Sequence, residues 1–207
     1  MITYYFDDTI YKRRYFRANF IWPMRRIYTV AIVLAIAILA TGFQKSVDWY
    51  QYKSAGYEVA FPAEPKAQQQ TVPTQIGDLK MDIRMYEPSK SGQEDDNLVY
   101  MTNVTEYPES KINSDNKANL EAVFRGGIDG SVKNVEGKLL SEKVIEMAGF
   151  PGREIKVDVK NGIAIIRARY FLVKNVMYIV QVITATEKFP NAAADRFFSS
   201  FHAQPIK

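Results

Sequence analysis

The chain contains no cysteine and a single histidine, His202, in 207 residues. The missing thiols exclude disulfides, a thiolate nucleophile, zinc–thiolate sites and an acylated lipoprotein cysteine. With one imidazole, a metal site would have to be built from oxygen ligands, and a histidine-centred general base has one candidate. His202 lies near the C-terminus behind a helical pattern, where it reads as a terminal residue whose cation suits the helix dipole. Gly126-Gly127 are adjacent, but no Gly-x-Gly-x-x-Gly or Walker pattern surrounds them. Their expected meaning is a close helix–sheet approach or a break in the helix. No catalytic constellation rises above background, and no cofactor is implied.

The folded part also lacks an excess of charge of one sign. The net charge of +4 resides in residues 1–26, where Lys12, Arg13, Arg14, Arg17, Arg25 and Arg26 face Asp7 and Asp8. The remainder carries 21 basic and 21 acidic side chains, the totals of 27 and 23 less those in the tail. Nucleic-acid binding needs clustered cations on the folded surface, so nucleic acid is not an expected partner.

What the sequence does have is one long apolar run. Residues 27–43 read IYTVAIVLAIAILATGF, uncharged, with Tyr28, Thr29 and Thr41 as polar interruptions. Seventeen residues in a helix span roughly 26 Å, near the minimum for a hydrocarbon core. A transmembrane signal-anchor is the first reading. A cleaved signal peptide is the second, with Ala40 and Gly42 as small residues before a cut at Phe43. A buried core helix is the weakest, because no polar face interrupts the run. Aromatics and cations interleave before it, and Arg13, Arg14, Arg17, Trp22, Arg25 and Arg26 suit a membrane interface and anionic headgroups. Trp49 suits the outer interface or the start of the domain. Positive charge before the run keeps the N-terminus cytoplasmic and places the bulk of the chain on the far side of the inner membrane. The alternative is secretion after cleavage near Phe43. The expected organisation is a tail over 1–26, an anchor over 27–43, a linker over 44–54 and one extracytoplasmic α+β domain over 55–207.

Within the domain, period-two alternation predicts strands over 57–61, 66–72, 79–85 and 98–106. Residues 115–132 read as a helix capped by Ser114 or Asp115. Residues 87–97 read as a solvated loop, since the adjacent Glu94, Asp95 and Asp96 lack the spacing of a calcium loop. Residues 139–147 form a further strand, followed by a three-strand meander turning at Asn161-Gly162 and Lys174-Asn175. Two-residue turns place Val157 opposite Ile166, Glu154 opposite Arg169, Tyr170 opposite Ile179 and Arg167 opposite Val182. Both faces of that sheet are largely apolar, so both need cover. A final helix over 191–201, capped by Asn191, buries Ala194, Phe197, Phe198 and Phe201.

Gly137-Lys138-Leu139-Leu140, Gly149-Phe150-Pro151-Gly152-Arg153-Glu154, Arg167-Ala168-Arg169-Tyr170 and Asn175-Val176-Met177-Tyr178 are pieces that together carry a resemblance. With Gly56-Tyr57-Glu58-Val59-Ala60-Phe61-Pro62 and Arg196-Phe197-Phe198-Ser199-Ser200-Phe201, they resemble bacterial envelope proteins similar to the PsbP/DcrB-like superfamily. The resemblance covers about residues 55–203. It implies an antiparallel sheet covered by helices on both faces, here preceded by one transmembrane helix, and a binding or accessory role without catalysis. The chain departs from it in having no lipobox cysteine, and no family active site is available to carry over.

Two functional readings follow. The first is a membrane-anchored extracytoplasmic binding or accessory domain whose partners are the lipid bilayer and an envelope protein or ligand. The alternative is a carboxylate-dependent enzyme or anion-binding protein using Arg153, Arg167 and Arg169. Against the alternative, the predicted register supplies Arg169 with Glu154 and Arg167 with Asp158 as cross-strand or diagonal partners.

Overall fold

The computed structural model describes residues 48–74 and 76–204. Strands β1 (Tyr50–Lys53), β2 (Tyr57–Phe61), β3 (Lys66–Thr74), β4 (Gly77–Tyr86) and β5 (Asn97–Glu106) precede helix α1 (Leu120–Asn134). Strands β6 (Gly137–Met147), β7 (Phe150–Val159), β8 (Ala164–Val173) and β9 (Val176–Ala185) follow, then helix α2 (Ala192–Ser200) and β10 (His202–Ala203). Seven strands form one antiparallel sheet in the order β3-β4-β5-β9-β8-β7-β6, and β1-β2-β10 form a second, smaller sheet.

The meander has the expected register: Val157 pairs with Ile166, Glu154 with Arg169, Tyr170 with Ile179 and Arg167 with Val182. The turns differ in kind. Val173 pairs directly with Val176 across a two-residue turn in which Lys174 holds φ 54°. Positive φ at the first central residue is what lets such a turn follow the strand twist. At Asn161-Gly162 the loop takes four residues. Lys160, Asn161 and Gly162 all have positive φ, and the Ile163 N–H donates to the Val159 carbonyl at 3.1 Å. The register survives because the extra residues are added equally to both strands.

One face of the large sheet packs against α1. Phe124 and Ile128 of the helix meet Ile155, Val157, Ile166, Ala168, Tyr170 and Leu172. A Cβ on Gly127 would sit 3.7 Å from the Tyr170 ring, so this glycine marks the close helix–sheet approach, and the helix runs through it unbroken. The helix starts later than its pattern predicts, because its expected caps are used elsewhere. The Ser114 hydroxyl accepts from the Lys174 N–H at 3.1 Å, and Asp115 pairs with Lys174 Nζ at 2.9 Å. A 3₁₀ turn, Lys117–Asn119, leads into α1, and Asn119 stands at its cap.

The opposite face corrects the expectation of helices on both sides. Its main cover is the small sheet, with α2 beside it. Tyr57, Val59 and Phe61 of β2 and Phe197, Phe198 and Phe201 of the α2 segment pack on Tyr100, Phe171, Tyr178, Val180 and Val182. The described residues contain two α-helices, so the domain is a predominantly antiparallel β structure, with α1 covering one face and the small sheet, flanked by α2, covering the other. Apolarity shows that a face needs cover but does not specify whether a helix or a sheet supplies it. Residues 50–53, read as linker, are strand β1, pairing Tyr52 with Val59. α2 carries the predicted cap: Asn191 accepts from the Ala194 N–H at 2.8 Å.

The tail and the apolar run lie outside the described residues, as do Arg13, Arg14, Arg17, Trp22, Arg25 and Arg26. Among the described residues no helix is long and apolar enough to cross a membrane. The expected transmembrane helix falls outside the described residues.

Candidate functional site

Alternation along β7 and β8 separates the three candidate arginines. Arg153 is on the α1 side, where its guanidinium lies 4.8 Å from the Phe124 ring centre and pairs with Glu121 at 2.6 Å and Glu142 at 3.4 Å. Arg167 and Arg169 are on the other face. Glu154 Oε2 accepts from Arg169 Nε at 2.7 Å and from Arg167 Nη2 at 3.0 Å. Arg167 also donates to Asp195 of α2 at 2.6 Å, and both guanidiniums lie over the Phe198 ring, at 4.6 and 5.0 Å. Burial would push the Glu154 carboxyl up, but the hydrogen bonds and charges of Arg169 and Arg167 outweigh it and hold the group below its usual range. The three arginines thus do not converge on one pocket. Each is occupied in fastening a helix to the sheet.

The other singled-out residues are also engaged. Trp49, expected at a membrane interface, packs edge-on to Tyr100 at 5.8 Å with Arg196 over its ring at 4.5 Å. Asp95 of the acidic loop accepts from the Tyr100 hydroxyl at 2.8 Å and from the Asn97 N–H at 2.8 Å, and Asp96 pairs with Lys188 at 3.4 Å. The described residues contain no group of three or more His, Cys, Asp or Glu placed to hold a metal ion. His202 is exposed in β10, opposite Glu58.

The structure brings together a different set, at the seam between the two sheets. A cleft of about 390 Å³ is lined by Tyr52, Ser54, Gly56 and Tyr57 from the small sheet and its turn, Gln69 from β3, Asp82 and Arg84 from β4, Val104 from β5 and Tyr178 from β9. That volume lies within the roughly 300–1,000 Å³ usual for small-molecule sites. Asp82 and Arg84 share one face of β4 by strand alternation and are both half-buried. The Arg84 guanidinium sits 5.3 Å from the Tyr52 ring centre and donates through Nη1 to the Ile83 carbonyl at 3.0 Å. Asp82 Oδ1 accepts from Gln69 Nε2 at 2.6 Å. The Tyr57 hydroxyl is bonded to Thr102 at 2.8 Å, whereas the buried Tyr178 hydroxyl has no partner among the described residues. Burial, aided by the charge of Glu106, raises the Tyr178 pKa.

This cleft was not legible in the sequence. Asp82 and Arg84 are polar residues alternating along a predicted strand, and Tyr57 and Tyr178 lie 121 positions apart in the numbering. The one local signal was that the polar face of β4 carries an acid and an arginine two residues apart.

Comparison with known proteins finds no matching family model and no matching curated relative. Among solved structures the chain is similar to the cyanobacterial PsbP (CyanoP) of Synechocystis sp. PCC 6803, at 11% identity and TM-score 0.46, covering 79% of this chain and 96% of that one. It is also similar to PA94, a Pseudomonas aeruginosa protein of unknown function, at 12% identity and TM-score 0.35, covering 59% of this chain and 87% of that one. At these scores neither likeness bears on function, and the cleft stands on its own geometry.

Proposed function

We propose that this chain is a non-catalytic binding or accessory domain. It acts outside the cytoplasm, tethered to the inner membrane through the apolar stretch 27–43, and it works through a ligand or protein partner at the seam between its two sheets. The observation that carries the reading is Arg84. Its half-buried guanidinium lines a cleft and has one hydrogen bond, to a backbone carbonyl, among the described residues. Such a group is a ready donor for an incoming acceptor. By contrast, Arg167 and Arg169 already share Glu154, which speaks against the anion-pocket alternative.

The test is affinity capture of the intact protein from detergent-solubilised membranes, comparing the wild type with Arg84→Gln. The expected result is a bound partner or ligand that the variant loses at unchanged melting temperature. Identical captured material from both would overturn the cleft as the binding site. The tether is tested separately: intact chain should remain in washed membranes, and a mature chain starting near Phe43 would refute it.

A further inference from the structure

We infer that the seam cleft takes a small zwitterion, a molecule with a carboxylate and a protonated amine side by side on an apolar or aromatic body, as in an aromatic α-amino acid. This rests on the binding reading and specifies its ligand class. The unfilled hydrogen-bonding groups of the cleft come in complementary kinds. Nε and Nη2 of Arg84 are donors without a protein partner among the described residues. Asp82 Oδ2 is an acceptor without one, while its Oδ1 is fixed by Gln69.

The charges decide the class. Asp82 and Arg84 lie on one face of β4, with Cα atoms roughly 7 Å apart. A plain carboxylate drawn to Arg84 meets the charge of Asp82, and a plain amine drawn to Asp82 meets Arg84. Only a ligand carrying both charges satisfies both in a site partly screened from water, where unpaired charge is most costly. The Tyr52 ring, already under the Arg84 guanidinium, and Tyr57 supply the apolar wall. Arginine stacked on an aromatic ring is held ready for a planar carboxylate.

Calorimetric titration of the detergent-solubilised full chain with L-phenylalanine, N-acetyl-L-phenylalanine and L-phenylalaninamide tests this. The zwitterion should bind at least about tenfold more tightly than either singly charged analogue, the scale of one lost charge-assisted contact. Asp82→Asn should abolish the preference for phenylalanine over its N-acetyl form, and Arg84→Gln should abolish the preference over the amide. Asp82→Asn also serves as the test if Arg84→Gln fails to fold. Equal binding of the N-acetyl form by the wild type would overturn the zwitterion and leave the cleft a carboxylate site. Failure of all three probes to bind would overturn the inference, and the binding reading would then be decided by the capture experiment alone.

Discussion

Replacing Glu154 with glutamine should unfasten α2 from the large sheet. The Glu154 side chain is 13% exposed, and its Oε2 holds Arg167 (17% exposed) and Arg169 (28% exposed) at 3.0 and 2.7 Å. Arg167 Nε is buried without a partner, so that guanidinium already depends on Glu154 and Asp195. A hydrogen bond to a charged group contributes about 1.5–3 kcal/mol, and breaking a fully buried pair costs about 3–5 kcal/mol. Here the arginines are partly solvated, Asp195 remains, and the glutamine oxygen still accepts one bond. The expected loss is therefore about 2–3 kcal/mol, or roughly 5–10 °C in Tm for a domain of this size. Urea denaturation is the suitable assay, since guanidinium salt would screen the charges. The effect has a pH signature. Glu154 has a lowered pKa in the fold, so its stabilisation is present above the unfolded value of about 4.3 and is lost as pH falls through the folded value. Wild type and variant should therefore begin to converge as pH falls below the unfolded value and meet only below the folded one. A difference under about 0.5 kcal/mol at neutral pH, the usual range for surface changes, would refute the reasoning. So would a difference undiminished at low pH. Loss of ligand binding in Arg167→Ala/Arg169→Ala at unchanged Tm would refute the structural role of these arginines.

Two further outcomes are expected. Gly152→Ala should destabilise the sheet by at least about 2 kcal/mol in equilibrium unfolding, on the overpacking scale, because the added Cβ would lie 2.6 Å from both the Tyr170 carbonyl oxygen and the Phe171 ring. Alkaline pH should unfold the protein. Burial raises the pKa of Tyr57, Tyr100, Tyr107, Tyr170 and Tyr178, so their contribution is full below the ordinary tyrosine value near 10 and is lost as pH rises above it. Denaturation midpoints should hold to about pH 9 and then fall, with tyrosinate absorbance appearing cooperatively at unfolding.

The meander was readable from local sequence because its determinants are local. Alternation sets the faces of β7, β8 and β9, and short turns fix their register within a few residues. Asn191 and the aromatics at 197, 198 and 201 likewise announce α2 and its buried side. The second layer was not readable. β1 is four residues long and exposed except at the half-buried Tyr52, and β10 is two residues long. Both are strands because they pair with β2, and Glu58 meets His202 across more than half the chain. The start of α1 was misplaced for a similar reason, since Ser114 and Asp115 bond to the β8–β9 turn instead of capping a helix.

The sequence by itself determined the partition of the chain: charge before the apolar run, an electrically balanced domain after it, and a sheet apolar on both faces. These follow from composition and from periodicities of a few residues. The tertiary structure decided what covers that sheet and which polar groups meet. It placed Arg153 on one side and Arg167 and Arg169 on the other, all paired, and it set Arg84, Asp82 and Tyr178 around one cleft. Such meetings depend on contacts between residues far apart in the chain, and a pattern read along the backbone carries no record of them.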